Sequence, residues 1–271
     1  MTTWTSAFVD TGDVKLRYQR AGSGRPIIFL HGMTDNGDCW KPFAAQLAPH
    51  YDVILLDARG HGESDKSCTT VAHVDQVADL RVVIAQLQLV KPLLIGHSMG
   101  AMVAFIAACT YPELLHAVIL EDPRFRPLVY VTESLRESAR ANVWKWVDSM
   151  QSMTHDALVM RCIAENPTWR AEELNAWAAA KLQLAPRLHW EDERNMVPWQ
   201  QRMQDLAVPT LLISADESRG GLVTAESAAE ARMLSQFVEI AHIRKVGHCI
   251  RREAPDAYRA LTMDFVRRMS I

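Results

Sequence analysis

Residues 92–100 read Pro92-Leu93-Leu94-Ile95-Gly96-His97-Ser98-Met99-Gly100, and this stretch decides the fold. Residues 92–95 are continuously apolar and read as a short buried strand. Residues 99–110, MGAMVAFIAACT, are small and apolar and read as a helix packed closely on a sheet. Between them lies the pattern G-x-S-x-G. In a strand–turn–helix context, that pattern holds a serine hydroxyl on a strained turn above a sheet. The flanking glycines let neighbouring backbone approach where a Cβ would intrude. A serine in an ordinary tight turn is the competing reading, and the flanking elements weigh against it.

Working outward, residues 26–30, 52–56, 117–120 and 210–213 repeat the short apolar run, and 237–240 is a weaker copy. Continuous runs without alternation suit parallel strands covered on both faces. Helical patterns separate them, over 70–89, 99–110, 224–234 and 254–269. Thr224 is placed to cap the third of these, with Glu226 in its first turn. The alternation predicts a doubly wound, mostly parallel α/β sheet. Thr11-Gly12-Asp13, between two alternating runs, predicts an antiparallel hairpin at the sheet edge. Residues 123–205 interrupt the pattern. They show no convincing strand, are punctuated by Pro127, Pro167, Pro186 and Pro198, and hold Trp144, Trp146, Trp169, Trp177, Trp190 and Trp199. The expected organisation is therefore a core of residues 1–122 and 206–271 with a helical cap over 123–205. The cap aromatics would form a small core of their own and also roof an apolar pocket.

The composition is that of an ordinary globular chain, with 49% hydrophobic and 23% charged residues over 271 positions. A formal charge of −3 with no basic block argues against nucleic acid as a partner. No apolar run reaches the roughly 18 residues a bilayer span needs, so no membrane partner is expected. The start, MTTWTSAFVDTGD, lacks a basic region followed by an apolar one, and a cytoplasmic location is the expectation. The five cysteines are widely spaced with no C-x-x-C, and they read as reduced, small apolar fillers. Metal-binding H-E-x-x-H patterns and phosphate-binding P-loops are missing, so no metal or cofactor is expected.

Chemistry gathers around Ser98. Met99 N–H falls at the start of a helix, where donors lack partners and the dipole favours negative charge. It could hold an oxyanion. The loop after an earlier strand, Leu30-His31-Gly32-Met33, offers Met33 N–H as the second donor. The order Phe29-Leu30-His31-Gly32, then Leu56-Asp57-Ala58-Arg59-Gly60-His61-Gly62-Glu63-Ser64, then Gly96-His97-Ser98-Met99-Gly100, then Val246-Gly247-His248 resembles the α/β-hydrolase superfamily. That resemblance implies the fold, a helical cap after the sixth strand and a serine–acid–histidine triad. It also implies that residues 57–64 form a structural loop. His248 follows a strand and a glycine and precedes the last helix, where the superfamily carries its catalytic base. His97 reads as a packing or hydrogen-bonding neighbour.

The acid is open at this level. The usual superfamily position falls on Ser218, with Asp216 and Glu217 near but offset. Asp122 ends an earlier strand, 24 residues beyond Ser98, and some superfamily members carry their acid there. Asp122 is ranked first, Asp216 second and Glu217 third. Serine at the elbow argues against dehalogenases and epoxide hydrolases on this fold, which use aspartate. The function expected is a cofactor-independent serine hydrolase cleaving a small carboxylic ester or lactone through an acyl-enzyme. The Trp- and Met-rich insertion suggests an apolar or aromatic group on the substrate. Perhydrolysis and C–C bond hydrolysis use the same triad. A non-catalytic or very slow ligand-binding or signalling module is the reading from another class.

Overall fold

The computed structural model describes residues 2–66, 70–125, 133–186, 189–190 and 197–269. The chain opens with β1 (Thr5–Asp10), β2 (Lys15–Ala21) and β3 (Pro26–Leu30), followed by a short α1 (Lys41–Ala44) and β4 (Asp52–Leu56). Next come β5 (Thr70–Val71), α2 (His73–Gln86), β6 (Leu93–His97), α3 (Met99–Thr110) and β7 (Ala117–Glu121). The inserted segment carries α4 (Glu133–Gln151), α5 (His155–Glu165), α6 (Ala171–Gln183) and β8 (His189–Trp190). The chain then runs through α7 (Trp199–Met203), β9 (Thr210–Ser214), α8 (Ala225–Leu234), β10 (Val238–His242), α9 (Ile250–Glu253) and α10 (Pro255–Arg268).

Eight strands form one sheet in the order β1-β2-β4-β3-β6-β7-β9-β10. The β1–β2 and β2–β4 pairs are antiparallel and the rest are parallel. Strand parity accounts for the continuous apolar runs. Ile28, Leu30, Ile54, Leu56, Leu94, Val118, Leu120 and Leu212 join one buried cluster with α2 and α3. The intervening Ile27, Phe29, Val53, Leu55, Leu93, Ile95, Ile119, Leu211 and Ile213 join another with α1 and α10. Side chains of period two thus fill cores on both faces of the sheet. Ten of the twelve residues of α3 are buried, which explains its small, apolar composition.

Two boundaries differ from the sequence reading. The helix expected over 70–89 starts only at His73, because Ala72 is extended and Thr70–Val71 forms β5. Asp75 accepts the Ala72 N–H at 3.2 Å, fixing the start. The inserted segment, expected to lack strands, contributes β8, which pairs in parallel with β5. A two-residue strand leaves no periodicity to read. No helix among the described residues is long and apolar enough to cross a membrane.

The tryptophans of 123–205 do several jobs. Trp177 and Trp169 pack with Met150, Leu158, Cys162 and Ala178 in a cluster within the insertion. Trp144 packs on a smaller one with Val71, Val147, Leu184 and Ala185. Trp199 instead belongs to the main core, stacked on Phe125 with ring centroids 4.7 Å apart. Trp146 is exposed. The side chain of Trp190 and the Pro127 position lie outside the described residues.

Residues 57–64 form a buttress. Buried Asp57 accepts N–H groups of Gly37 at 2.7 Å and Glu63 at 2.9 Å and faces Arg17 Nη1 at 3.3 Å. Arg59 makes a bidentate pair with Asp79 at 2.7 and 2.8 Å. Ala58 N–H donates to His31 Nε2 at 3.0 Å, so that nitrogen must be unprotonated, leaving Nδ1–H for the Gly32 carbonyl at 2.8 Å. Burial pushes the His31 pKa down to about 4 from 6.5, in keeping with this geometry. A histidine whose folded pKa lies below its unfolded value gives its full stabilisation above the unfolded value and loses it as pH falls toward the folded one. Thermal midpoints should therefore decline as pH is lowered from about 7 toward about 5. His31→Gln, which keeps an acceptor but no titration, should decline less steeply. Identical slopes for the two proteins would show that His31 does not fold as a neutral acceptor.

Candidate active site

The elbow follows from close packing at the C-terminal edge of the sheet. Register pairs Leu30 with Gly96 and His97 with Glu121, so the loops after β3, β6 and β7 leave side by side. A Cβ on Gly96 would run into the backbone of Gly100 and Ala101, and one on Gly100 would run into the Leu30 and His31 carbonyls. Glycine at both positions lets the start of α3 press onto β6 and β3. Gly100 N–H then donates to the His31 carbonyl at 3.1 Å, and Ser98 N–H to the Glu121 carbonyl at 2.9 Å. The outcome is a strained Ser98, with φ 52 and ψ −110, at the N-cap of α3. Such a conformation costs on the order of 1–3 kcal/mol and persists because its surroundings over-determine it.

The structure brings His248 and Asp122 together. His248 Nδ1 lies 2.6 Å from Asp122 Oδ2. A carboxylate accepts, so the proton in this contact sits on His248 Nδ1. Asp122 is fully buried and has φ 46. Its carboxylate also accepts Leu222 N–H at 2.9 and 3.0 Å and Val223 N–H at 3.0 Å. Its own N–H donates to the Ile213 carbonyl at 2.9 Å, continuing the β7–β9 ladder one residue past the strand. Neighbouring His97 is buried, its ring centroid 4.7 Å from that of His248 and its Nε2 3.1 Å from the His248 carbonyl. Burial and then the charge of His248 hold the His97 pKa well below the ordinary histidine value, so it stays neutral.

Asp216 sits on different partners. It accepts the Lys245 N–H at 2.7 Å and lies 3.0 Å from His242 Nε2, and His242 Nδ1 is 3.0 Å from Ser214 Oγ. The Lys245 N–H lowers its pKa first, and His242 adds to that. This row has the residue types of a triad, but Ser214 is 3% exposed and cannot present a nucleophile. Glu217 lies in the short turn after Asp216, where the chain bends toward Gly220.

Met33 follows Gly32, where an added Cβ would lie 3.6 Å from Ser98 Cβ, and Met99 is the first residue of α3. Among the described residues, neither backbone N–H has an intramolecular acceptor. The β3 loop that carries Met33 is held from below by His61, whose Nε2 is 2.6 Å from the Met33 carbonyl. It is turned on itself by the Asp35 N–H to the Gly32 carbonyl at 3.0 Å. Sequence reasoning missed the backbone N–H groups of Leu222 and Val223, since a main-chain donor has no residue-type signature. It also missed Glu121, whose burial beside Arg251 could have been suspected from the adjacent Glu121-Asp122 pair. Among the described residues, no group of three or more His, Cys, Asp or Glu side chains is placed to hold a metal.

Residues 25–248 match the family model described as alpha/beta hydrolase fold, and the chain belongs to that family. Within it, the chain is 27% identical over 262 residues to 2-(acetamidomethylene)succinate hydrolase of Mesorhizobium japonicum, covering 92% of this chain and 90% of that one. It is 28% identical over 282 residues to N-formylmaleamate deformylase of Pseudomonas putida, covering 96% and 98%. Among solved structures, E-2-(acetamidomethylene)succinate hydrolase superposes with a TM-score of 0.79 at 24% identity, covering 98% of this chain and all of that one. An N-acyl homoserine lactone degrading enzyme superposes at 0.73 and 22%, covering 96% and 100%. The likeness to these two structures is one of fold.

The geometry separates the carboxylates experimentally. Asp122→Asn keeps the shape but offers His248 the wrong hydrogen-bonding partner, which costs about 10⁴-fold in kcat where such an acid orients a histidine. Asp216→Asn should change kcat by less than about threefold, since only His242 and Lys245 lose a partner. A collapse in Asp216→Asn with near-normal turnover in Asp122→Asn would reverse the assignment.

Proposed function

We propose that the protein is a cofactor-independent serine hydrolase that acts through an acyl-enzyme, with Ser98, His248 and Asp122 as the triad. The observation that carries the proposal is the short His248–Asp122 contact at the end of the strand beside Ser98. In this reading Ser98 Oγ attacks the substrate carbonyl and its proton passes to His248 Nε2. Asp122 stabilises the imidazolium through Nδ1–H. The developing oxyanion receives hydrogen bonds from Met33 and Met99 N–H. His248 then protonates the leaving group. Water, deprotonated by the same nitrogen, releases the acid and restores Ser98.

A small carboxylic ester or lactone is the substrate class that the elbow and the sequence resemblance support. A second class, a small N-acyl compound bearing carboxylates, gains support from the two relatives matched over nearly their full lengths. Both names denote hydrolysis of such compounds. The case for an apolar substrate group is weaker, because Trp169, Trp177 and Trp199 are engaged in packing within the protein. A reducing, cytoplasmic location suits the unpaired cysteines Cys39, Cys109, Cys162 and Cys249.

A fluorophosphonate probe should label the wild-type protein at Ser98 and leave Ser98→Ala unlabelled. Turnover of p-nitrophenyl esters, simple lactones and N-acyl enamides should fall at least about 10⁴-fold in Ser98→Ala, with the thermal midpoint nearly unchanged. The relative kcat/KM values across the three substrate groups choose between the two classes. Wild-type turnover in Ser98→Ala would overturn the mechanism. Labelling without turnover of any substrate would favour a binding or signalling role.

A further inference from the structure

Beneath the site lies a cluster of six buried charges that the acyl-transfer steps do not use. Asp35 follows Met33 by two residues in the β3 loop. Glu121 precedes Asp122. Arg251 and Arg252 follow His248 by three and four residues. Glu173 and Lys181 lie on cap helix α6. All six are at most 7% exposed. Three basic side chains face three carboxyl groups, so the residue types balance within the cluster.

Its connections are directional. Arg251 Nη2 and Arg252 Nη2 lie 3.3 and 3.0 Å from Asp35 Oδ2. Arg251 N–H donates to Glu121 Oε1 at 2.9 Å, and Arg252 Nε to Glu173 Oε2 at 3.2 Å. Three tryptophan faces complete the lining: Trp40 under Arg251, Trp177 under Lys181 and Trp169 under Arg252, at 4.0, 4.8 and 4.8 Å. Lys181 is placed differently from the other two cations. Its three ammonium donors go to the Thr34 carbonyl at 2.8 Å, the Thr34 hydroxyl at 3.1 Å and Asp35 Oδ1 at 3.1 Å. An ammonium has three protons, and here every one is spent on the two residues after Met33. Two residues further along α6, Gln183 Oε1 accepts from Asn36 Nδ2 at 2.7 Å. The loop is thus gripped from the cap by Lys181 and Gln183 and from the core by His61.

We propose that Lys181 is a positioning residue, through which cap helix α6 holds the Met33 N–H at the place where an oxyanion develops. Through Lys181, helix α6 then acts on the rate of the chemical step. This rests on the reading of Met33 N–H as an oxyanion donor. A donor displaced by a fraction of an ångström loses its transition-state hydrogen bond while ground-state binding of substrate continues, because the oxyanion and the carbonyl oxygen occupy different positions. The strap therefore acts on kcat and on the affinity for tetrahedral adducts, rather than on KM.

Lys181→Met keeps a side chain of similar length beside Trp177 and removes all three donors. Its kcat should fall by about 10²-fold, within the range seen for losing one oxyanion donor, with KM within about threefold of wild type. Affinity for an aryl trifluoromethyl ketone, which forms a tetrahedral adduct with the serine, should weaken in step with kcat/KM. Glu173→Gln removes a carboxylate that pairs with Arg252 and has no contact of its own with the loop among the ion pairs described above. It should lower the thermal midpoint as Lys181→Met does, yet keep kcat within about threefold. Gln183→Leu removes the second grip without burying a charge, and should give a smaller kcat loss at unchanged KM. Two results would overturn the strap. One is Lys181→Met that loses thermal stability but keeps kcat and ketone affinity. The other is an unfolded Lys181→Met together with wild-type kcat in Gln183→Leu. Wild-type protein that neither labels at Ser98 nor turns over would instead refute the acyl-enzyme reading.

Discussion

The site depends on one constraint: three backbones must meet at the C-terminal edge of a parallel sheet with no side chain between them. Gly96 and Gly100 meet that requirement. With them, α3 begins against the end of β3, Gly100 N–H reaches the His31 carbonyl, and Ser98 is forced into its strained turn. The strain itself accomplishes no chemistry. It sets Met99 N–H at the start of α3, where among the described residues no acceptor pairs with it. Buried strands on both sides give the turn its rigidity, since moving it would disturb packing in both core clusters.

Around that turn, polar groups are placed by backbone more than by side chains. Asp122 is oriented by the N–H groups of Leu222 and Val223, which fill the lone pairs that His248 leaves. Buried acceptors of this kind are costly unless donors meet them, and here two backbone N–H groups and the imidazole do so. The same logic governs the six-charge cluster. Burial pushes Asp35 up, yet Arg252, Lys181 and Arg251 together hold its carboxyl well below the usual range. Ion pairs at such depth bring little net stability over an apolar core, and their attested use is to specify one arrangement. Here that arrangement includes the β3 loop, the cap helix α6 and the turn after His248.

Much of this was legible from residues alone, for identifiable reasons. Parity within a doubly covered strand leaves a continuous apolar run, so β3, β4, β6, β7 and β9 stand out. The elbow was readable because its glycines and serine have fixed spacing. The loss of alternation over residues 123–205 carried the expectation of a helical insertion, while the packing roles of its tryptophans had no signal. Trp169 and Trp177 each offer a ring face to a buried cation, and no pattern in a single sequence separates that from an apolar roof. Lys181, Arg251 and Arg252 look like ordinary surface charges along their helices. The bend that carries Leu222 and Val223 to Asp122 arises at Gly220, where the chain adopts φ 99. A count of residues after β9 does not foresee which carboxylate that bend will serve.

The central claim is that Ser98 carries the acyl group of the substrate during turnover. Acid quenching during steady-state hydrolysis of a slowly deacylating ester, followed by digestion and mass spectrometry of the peptides, tests it directly. The account predicts a stoichiometric mass increase equal to the acyl group on the peptide containing Ser98. Turnover with no adduct on that peptide, or with the acyl group on another residue such as Cys249, would contradict it.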